Sequence, residues 1–168
     1  MIGAGSSRVL KLRHDLSDNP EITTLDMEVR HEPDVLWDLD YTPWPFLEGE
    51  FDQIHAYEVL EHLGKQGDAE SFFLHFGEAY RILKPGGYLV GSCPTWDSMW
   101  AWGDPSHKRV ICEGSFTYLD YPQYEKQVGK TTMTDFRGIR KGDFETVHLE
   151  RDDGTLFFAL KAHKPRRV

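Results

Sequence analysis

No stretch of this chain comes near the roughly eighteen consecutive apolar residues that a membrane-spanning helix requires, and no basic-then-apolar leader opens it. A soluble, cytoplasmic protein with no membrane contact is expected. Cysteine is almost missing. Cys93 and Cys112 are the only two, at a spacing that suits neither a metal knuckle nor a disulfide framework, which fits a reducing compartment. Positive charge is also short: 19 Lys and Arg stand against 28 Asp and Glu, for a formal charge of −9, and an acidic surface repels a phosphate backbone. DNA is therefore disfavoured as a partner, and the basic tail of Lys161, Lys164, Arg166 and Arg167 reads as a solvated end. With no internal repeat or low-complexity tract, the 168 residues are expected to form one domain over 1–168.

What is present is a succession of strand and helix signals. Met1 and Ile2 run straight into Gly3-Ala4-Gly5, leaving two residues for a first strand. Arg8 to Leu16 predicts a short helix or loop before the breaker Asp18-Asn19-Pro20. Glu21 to Val29, with Ile22, Leu25 and Met27 in alternation, predicts a strand ending near Asp26 or Glu28, and Asp34 to Leu39 predicts a second, brief one. Tyr41 to Gly49, bulky aromatics between prolines and glycine, predicts a loop packed on the body. Phe51 to Tyr57 is the next expected strand.

From Asp68 to Leu83 the apolar residues recur at helical spacing, with Asp68 as N-cap and Pro85-Gly86-Gly87 as the stop that turns the chain into a strand over Tyr88 to Cys93. A further helix is expected from Glu113 through Leu119, ending by Pro122. Phe144 to Glu150 and Leu156 to His163 flank Asp152-Asp153-Gly154, a hairpin signal. Strands alternating with helices and closing on a hairpin predict an α/β fold: a Rossmann-like, mostly parallel, doubly wound sheet with an antiparallel C-terminal hairpin strand.

Open α/β sheets bind ligands at the carboxyl ends of their strands, so ionisable groups just past a strand are where chemistry is expected. The phrase from Phe51 to Leu63, with Glu58, Glu61 and His62 after the strand, answered by Leu83-Lys84-Pro85-Gly86-Gly87-Tyr88, resembles the second half of a class I S-adenosylmethionine-dependent methyltransferase. That resemblance spans Gly3 to about Leu119. It implies S-adenosylmethionine as cofactor, and transfer of its methyl group to an oxygen, nitrogen or carbon of a small or medium acceptor.

Residue by residue, Gly3, Ala4 and Gly5 resemble the family's glycine-rich first motif, although Ser7 stands where a third glycine is usual. Asp26, with Glu28 as the neighbouring candidate, takes the place of the acidic residue that accepts from the ribose hydroxyls. Asp38 and Leu39 resemble the pair that faces adenine, followed by the proline-aromatic run Pro43-Trp44-Pro45-Phe46, in which Trp44 could equally be core. His55, Ala56 and Tyr57 fall where the family's backbone lies along the methionine part of the cofactor.

Glu58, Glu61, His62 and, in a later loop, His107 match a pattern with which some relatives bind a divalent metal such as magnesium. His107 is also the candidate proton acceptor. The competing reading has the two glutamates facing solvent or pairing with Lys65 and Arg81. Trp96, Trp100 and Trp102 would either wall the acceptor pocket or cover the end of the sheet.

Two other functions stay open. One is a non-catalytic relative that keeps the fold as a cofactor sensor or scaffold. The other, a nicotinamide-dependent oxidoreductase, is weakened by Arg8 standing where G-x-G-x-x-G needs its last glycine. DNA base methylation is disfavoured by motif as well as by charge, since neither an Asn/Asp-Pro-Pro-Tyr phrase nor a Pro-Cys nucleophile is present.

Overall fold

Asp68 accepts a hydrogen bond from Ser71 N at 3.1 Å and so caps helix α1 (Ala69–Ile82), whose inward stripe of Phe73, Phe76, Ala79 and Ile82 is buried. In this computed structural model, which describes residues 1–12 and 20–168, α1 is the crossover between strands β3 (Phe51–Tyr57) and β4 (Leu83–Pro94). These two pair in parallel, and α1 supplies the long crossover that parallel neighbours need. The sequence places β3 and α1 at their observed bounds within a residue. The segment Arg13 to Asn19, carrying the end of the Arg8–Leu16 expectation and most of the breaker, lies outside the described residues.

Pro85-Gly86-Gly87 is not the turn before β4 but part of it. Leu83 pairs with Phe51 and Tyr88 with Gln53, so the extra residues swell out as a bulge. Gly86 takes a φ of 78°, which a side chain would resist. Beyond the bulge β4 is buried almost continuously and forms the middle of a four-stranded sheet in the order β3-β4-β6-β5. Strands β5 (Phe144–Asp152) and β6 (Thr155–Ala162) form an antiparallel hairpin through Asp153-Gly154, both at positive φ, and β6 also runs antiparallel to β4. Leu89, Val90, Phe158, Ala159 and Leu160, wholly buried, mark the centre of the core.

The other strands are shorter than their alternation suggests. β1 (Leu25–Asp26) and β2 (Val35–Leu36) form a parallel pair of two residues each, and the stretch after β1 turns into a 3-10 helix over Val29–His31. Ile2 joins the pieces: it bridges Leu25 in parallel, and its amide donates to the His55 carbonyl at 2.9 Å. The sheet is thus a mixed one, with parallel and antiparallel pairings, in an α/β Rossmann-like fold.

Three further expectations change. A short helix, α2 (Met99–Gly103), occupies part of the tryptophan loop. The helix expected from Glu113 through Leu119 is α3 (Glu113–Thr117), and a helix that was not expected follows it, α4 (Tyr121–Gln127), which Asp120 caps and in whose first turn Pro122 sits, where its missing N–H costs nothing. The basic tail is docked rather than solvated. Arg167 pairs with buried Asp143 at 2.7 Å, and Lys164 Nζ donates to the carbonyls of Arg81 and Leu83. No helix among the described residues is long and apolar enough to cross a membrane.

Candidate functional site

The Gly3-Ala4-Gly5 turn sits at the carboxyl end of the Ile2 bridge, and Gly3 and Gly5 both adopt φ of 55°. A Cβ on Gly3 would lie 2.1 Å from Val59 Cγ2, so only glycine lets the backbone pass there. The turn is tied to β1 through Asp26, which accepts from Gly5 N at 2.8 Å and, with its other oxygen, from Glu28 N at 2.8 Å. Burial alone would raise the Asp26 pKa, but the amides of Glu28 and Gly5 and the nearby His31 ring hold it below the usual carboxylate range. His31 Nδ1 lies 3.2 Å from Asp26 Oδ1, a neighbour that its isolated place in the sequence does not announce. Arg8 grips Asp34 with two bonds of 2.9 and 3.0 Å, fastening the far end of the turn beside β2.

Between these strand tips lies a cavity of about 240 Å³ that brings together Gly3, Asp26, Asp38 and Leu39. The proline-aromatic loop positions the last two. Trp44, 2% exposed, donates from Nε1 to the Leu39 carbonyl at 3.0 Å, while Glu78 accepts from Trp44 N and Arg81 donates to the carbonyls of Trp44 and Phe46. Trp44 is core, and through Leu39 it also shapes the cleft.

Ala4 is buried and does not line the cavity, and neither do Gly5, His55, Ala56 and Tyr57. His55 and Ala56 are inside the sheet. The Tyr57 hydroxyl accepts from Leu12 N at 3.0 Å, and Lys11 lies over its ring. In their place the cavity is bounded by Val59, His62 and Leu63 below and by Trp37 and Lys108 at the rim. Trp37 adjoins Asp38 in sequence, but Lys108 arrives from a distant loop, with Nζ held on Asp40 at 2.8 Å.

His62 also lines a second cavity, of about 320 Å³, with Glu58, Glu61, Trp100, Asp104 and His107. Glu58 takes a φ of 52°, unusual for a residue with a side chain, and accepts from Ser92 Oγ at 2.6 Å. Glu61, 2% exposed, has both carboxylate oxygens buried without a hydrogen-bond partner. Burial, reinforced by the charges of Glu58 and Asp104, pushes its pKa up to about 8. Arg81 is taken by Glu78, so the alternative in which it pairs with Glu58 or Glu61 does not form.

The ligating atoms of Glu61, His62 and His107 lie within 4.8 Å of one another. The His62 and His107 rings meet edge to face at 4.7 Å, and His107 Nδ1 is buried without a partner. Unpartnered Glu61 oxygens and a ring nitrogen from each histidine, at that spacing, are a donor set of the kind that divalent cations take. Glu58, bonded to Ser92, is outside that trio. All three tryptophans are exposed; Trp100 lines the cavity, Trp96 and Trp102 do not, and Trp102 donates to the Trp96 carbonyl at 2.8 Å.

The profile of the family described as Methyltransferase domain matches residues 2–91. No curated protein matches the sequence. Among solved structures, one chain of the complex between the Haloferax volcanii Trm112 methyltransferase activator and a methyltransferase aligns with a TM-score of 0.58 at 17% identity, covering 96% of this chain and 80% of that one. An S-adenosylmethionine-dependent methyltransferase from Archaeoglobus fulgidus gives 0.52 at 14% identity, over 83% and 75%. The N-methyltransferase NodS of Bradyrhizobium japonicum WM9, in complex with S-adenosyl-L-homocysteine, gives 0.50 at 16%, over 83% and 65%. These likenesses are of fold.

Proposed function

The chain belongs to the class I methyltransferase domain family, and from that premise we propose that it binds S-adenosylmethionine in the cleft of Gly3, Asp26, Asp38 and Leu39 and methylates a small or medium acceptor in the adjoining cavity. The observation that carries this reading is the convergence of those four residues, drawn from three strand tips, on one cavity that meets the next across His62. Asp26 keeps acceptor capacity for the ribose hydroxyls, since an ionised carboxylate offers about four lone-pair sites. The sheet order β3-β4-β6-β5 supports reading the whole as a doubly wound sheet with β6 as its antiparallel insertion.

Methyl transfer is an in-line displacement. Bound S-adenosylmethionine would supply an electrophilic methyl group: the acceptor's lone pair would form the new bond to carbon as the sulfur–carbon bond breaks, its electron pair leaving on the sulfur of S-adenosylhomocysteine. The protein's principal task is alignment and exclusion of water. An acceptor that is a neutral hydroxyl or amine must also lose a proton, and His107 is the group in the cavity that would take it.

Glu61, His62 and His107 would hold a divalent ion, and two imidazoles with one carboxylate suit manganese, iron or zinc better than magnesium. Such an ion supplies charge neutralisation for an anionic acceptor oxygen. His107 serves as ligand or as base, not both at once.

Titration calorimetry with S-adenosylmethionine and S-adenosylhomocysteine tests the cofactor assignment, and transfer of a labelled methyl group to pooled small acceptors tests the activity. Saturable heat with either ligand is expected. Absence of heat with both would remove the enzyme reading and leave a scaffold.

A further inference from the structure

On the other side of the strap that carries His107 and Lys108 lies a third cavity, about 440 Å³, between the first turns of α1 and α3. Lys108 lines the cofactor cleft and Arg109 lines this cavity, so consecutive residues serve opposite sides of one segment. The strap is held by the Glu61 carbonyl, which accepts from Lys108 N at 2.8 Å and Arg109 N at 3.1 Å. No residue of this cavity lines either of the other two.

Its walls are aromatic, from Phe72, Phe73, Tyr118 and Phe136, and its buried charge is a single cation. Arg109 is 6% exposed. One nitrogen, Nη2, donates to Ser71 Oγ at 2.7 Å, and the guanidinium lies over the Phe72 ring at 5.6 Å, but Nε is buried without any partner. No carboxylate among the described residues comes within ion-pair distance of it. Asp68 and Asp40 act on the guanidinium only through space, and a guanidinium removed from water without a counter-charge in contact is costly, a contact that an anionic ligand seated in the cavity would supply. Asp68 also lines the cavity and would repel a second negative charge on the ligand.

We propose that this cavity is a second ligand site, distinct from the cofactor cleft, which takes a small monoanionic carboxylate with an aromatic or branched apolar body, the carboxylate on Arg109 and the body against Phe72, Tyr118 and Phe136. Aromatic walls with one convergent charged group are the ordinary make-up of small-molecule sites. The charge-assisted bond to Arg109 orients the ligand.

The test is titration calorimetry on the full chain with 3-phenylpropanoate and with its neutral isostere 3-phenylpropanamide. Saturable binding of the carboxylate is expected, with the amide weaker by about tenfold to a hundredfold, the scale of one buried charge-assisted hydrogen bond. Arg109→Met should lose the carboxylate by a similar factor, while Asp26→Ala, which alters the cofactor cleft, should leave it unchanged. Equal binding of acid and amide, unaltered binding to Arg109→Met, or no saturable binding of the acid would overturn the proposal. Should Arg109→Met fail to fold by circular dichroism, Phe136→Trp, which fills the cavity from its opposite wall, must abolish binding. Binding that survives that substitution overturns the proposal as well.

Discussion

The Asp26 carboxylate holds the Gly5 amide at 2.8 Å across the gap between the glycine turn and β1. In the proposed cofactor site it would act twice, as an acceptor in the cleft and as the brace of the turn opposite. Asp26→Ala is expected to lower S-adenosylhomocysteine affinity by about one to two orders of magnitude, the scale of losing charge-assisted hydrogen bonds. Asp26→Asn, which keeps an acceptor oxygen, should fall between. Calorimetry with unchanged affinity in the alanine variant would take Asp26 out of the cofactor site.

Gly3 and Val59 are in similarly close dependence. A methyl at Gly3 meets Val59 Cγ2 at 2.1 Å while the backbone keeps its φ of 55°. Gly3→Ala is expected to destabilise the fold by about 2 to 4 kcal/mol, combining left-handed strain with overpacking. Because Val59 also lines the cleft, the displaced side chain should weaken cofactor binding. The double variant with Val59→Ala removes the clash but not the strain, so denaturant midpoints should recover only in part. A midpoint equal to that of the parent in the single variant would refute the clash.

The Trp44 indole reaches the same cleft from the other side, through the Leu39 carbonyl. Trp44→Phe keeps most of the buried ring and leaves that carbonyl without its donor, at a cost of about 1 to 3 kcal/mol. If the bond fixes Leu39 against the cofactor, S-adenosylhomocysteine affinity should drop severalfold as well. Lost stability with intact affinity would confine Trp44 to the core.

What the sequence made legible was what neighbouring residues decide together. The apolar period of α1, the Asp68 cap and the Asp153-Gly154 turn are local, and each lies where it was expected. Gly3, Asp26, Asp38 and Leu39, singled out by their resemblance to motifs at strand tips, line one cavity. Lengths set by distant partners were not readable. β1 stops at Asp26 because that carboxylate captures Glu28 N and turns the chain, although the alternation runs on, and Pro85-Gly86-Gly87 stays in β4 because Leu83 has already paired with Phe51. His55, Ala56 and Tyr57 were matched by position in a motif, whereas burial in the sheet and the covering Leu12 decide where they face. Lys108 and Arg109 carry no local signal: a loop of the folded chain brings them to their cavities.

His55 gives the fold a pH dependence of known sign. Its ring, 4% exposed, has Nδ1 2.7 Å from the Tyr57 hydroxyl and Nε2 3.0 Å from Gln53 Oε1. Burial is the main cause that lowers its pKa from 6.5 to about 4. Between those values the unfolded chain binds a proton that the folded one refuses. Its contribution is thus intact above about 6.5 and is lost on acidification toward 4, at about 1.4 kcal/mol per pH unit. Denaturation curves across that window should show the loss, and His55→Gln should flatten it. Identical slopes in the two proteins would mean that His55 titrates alike in the folded and unfolded chains.

Glu61 separates metal binding from a purely structural role, because the two make opposite demands on one carboxylate. Its oxygens are buried and unpartnered, so without an ion they contribute desolvation cost and no compensating bond. Glu61→Gln, nearly isosteric, should therefore cost the chelator-treated protein little. With manganese at about a hundred times its dissociation constant, linkage predicts about 2.7 kcal/mol of added stability in the parent protein, or roughly 5 to 10 °C in Tm for a chain of this size. The Glu61→Gln protein should lose that shift, and so should His107→Ala. A parent Tm indifferent to manganese, zinc and iron, or a shift that survives in both variants, would leave the trio as a packing arrangement and free His107 to serve as the base.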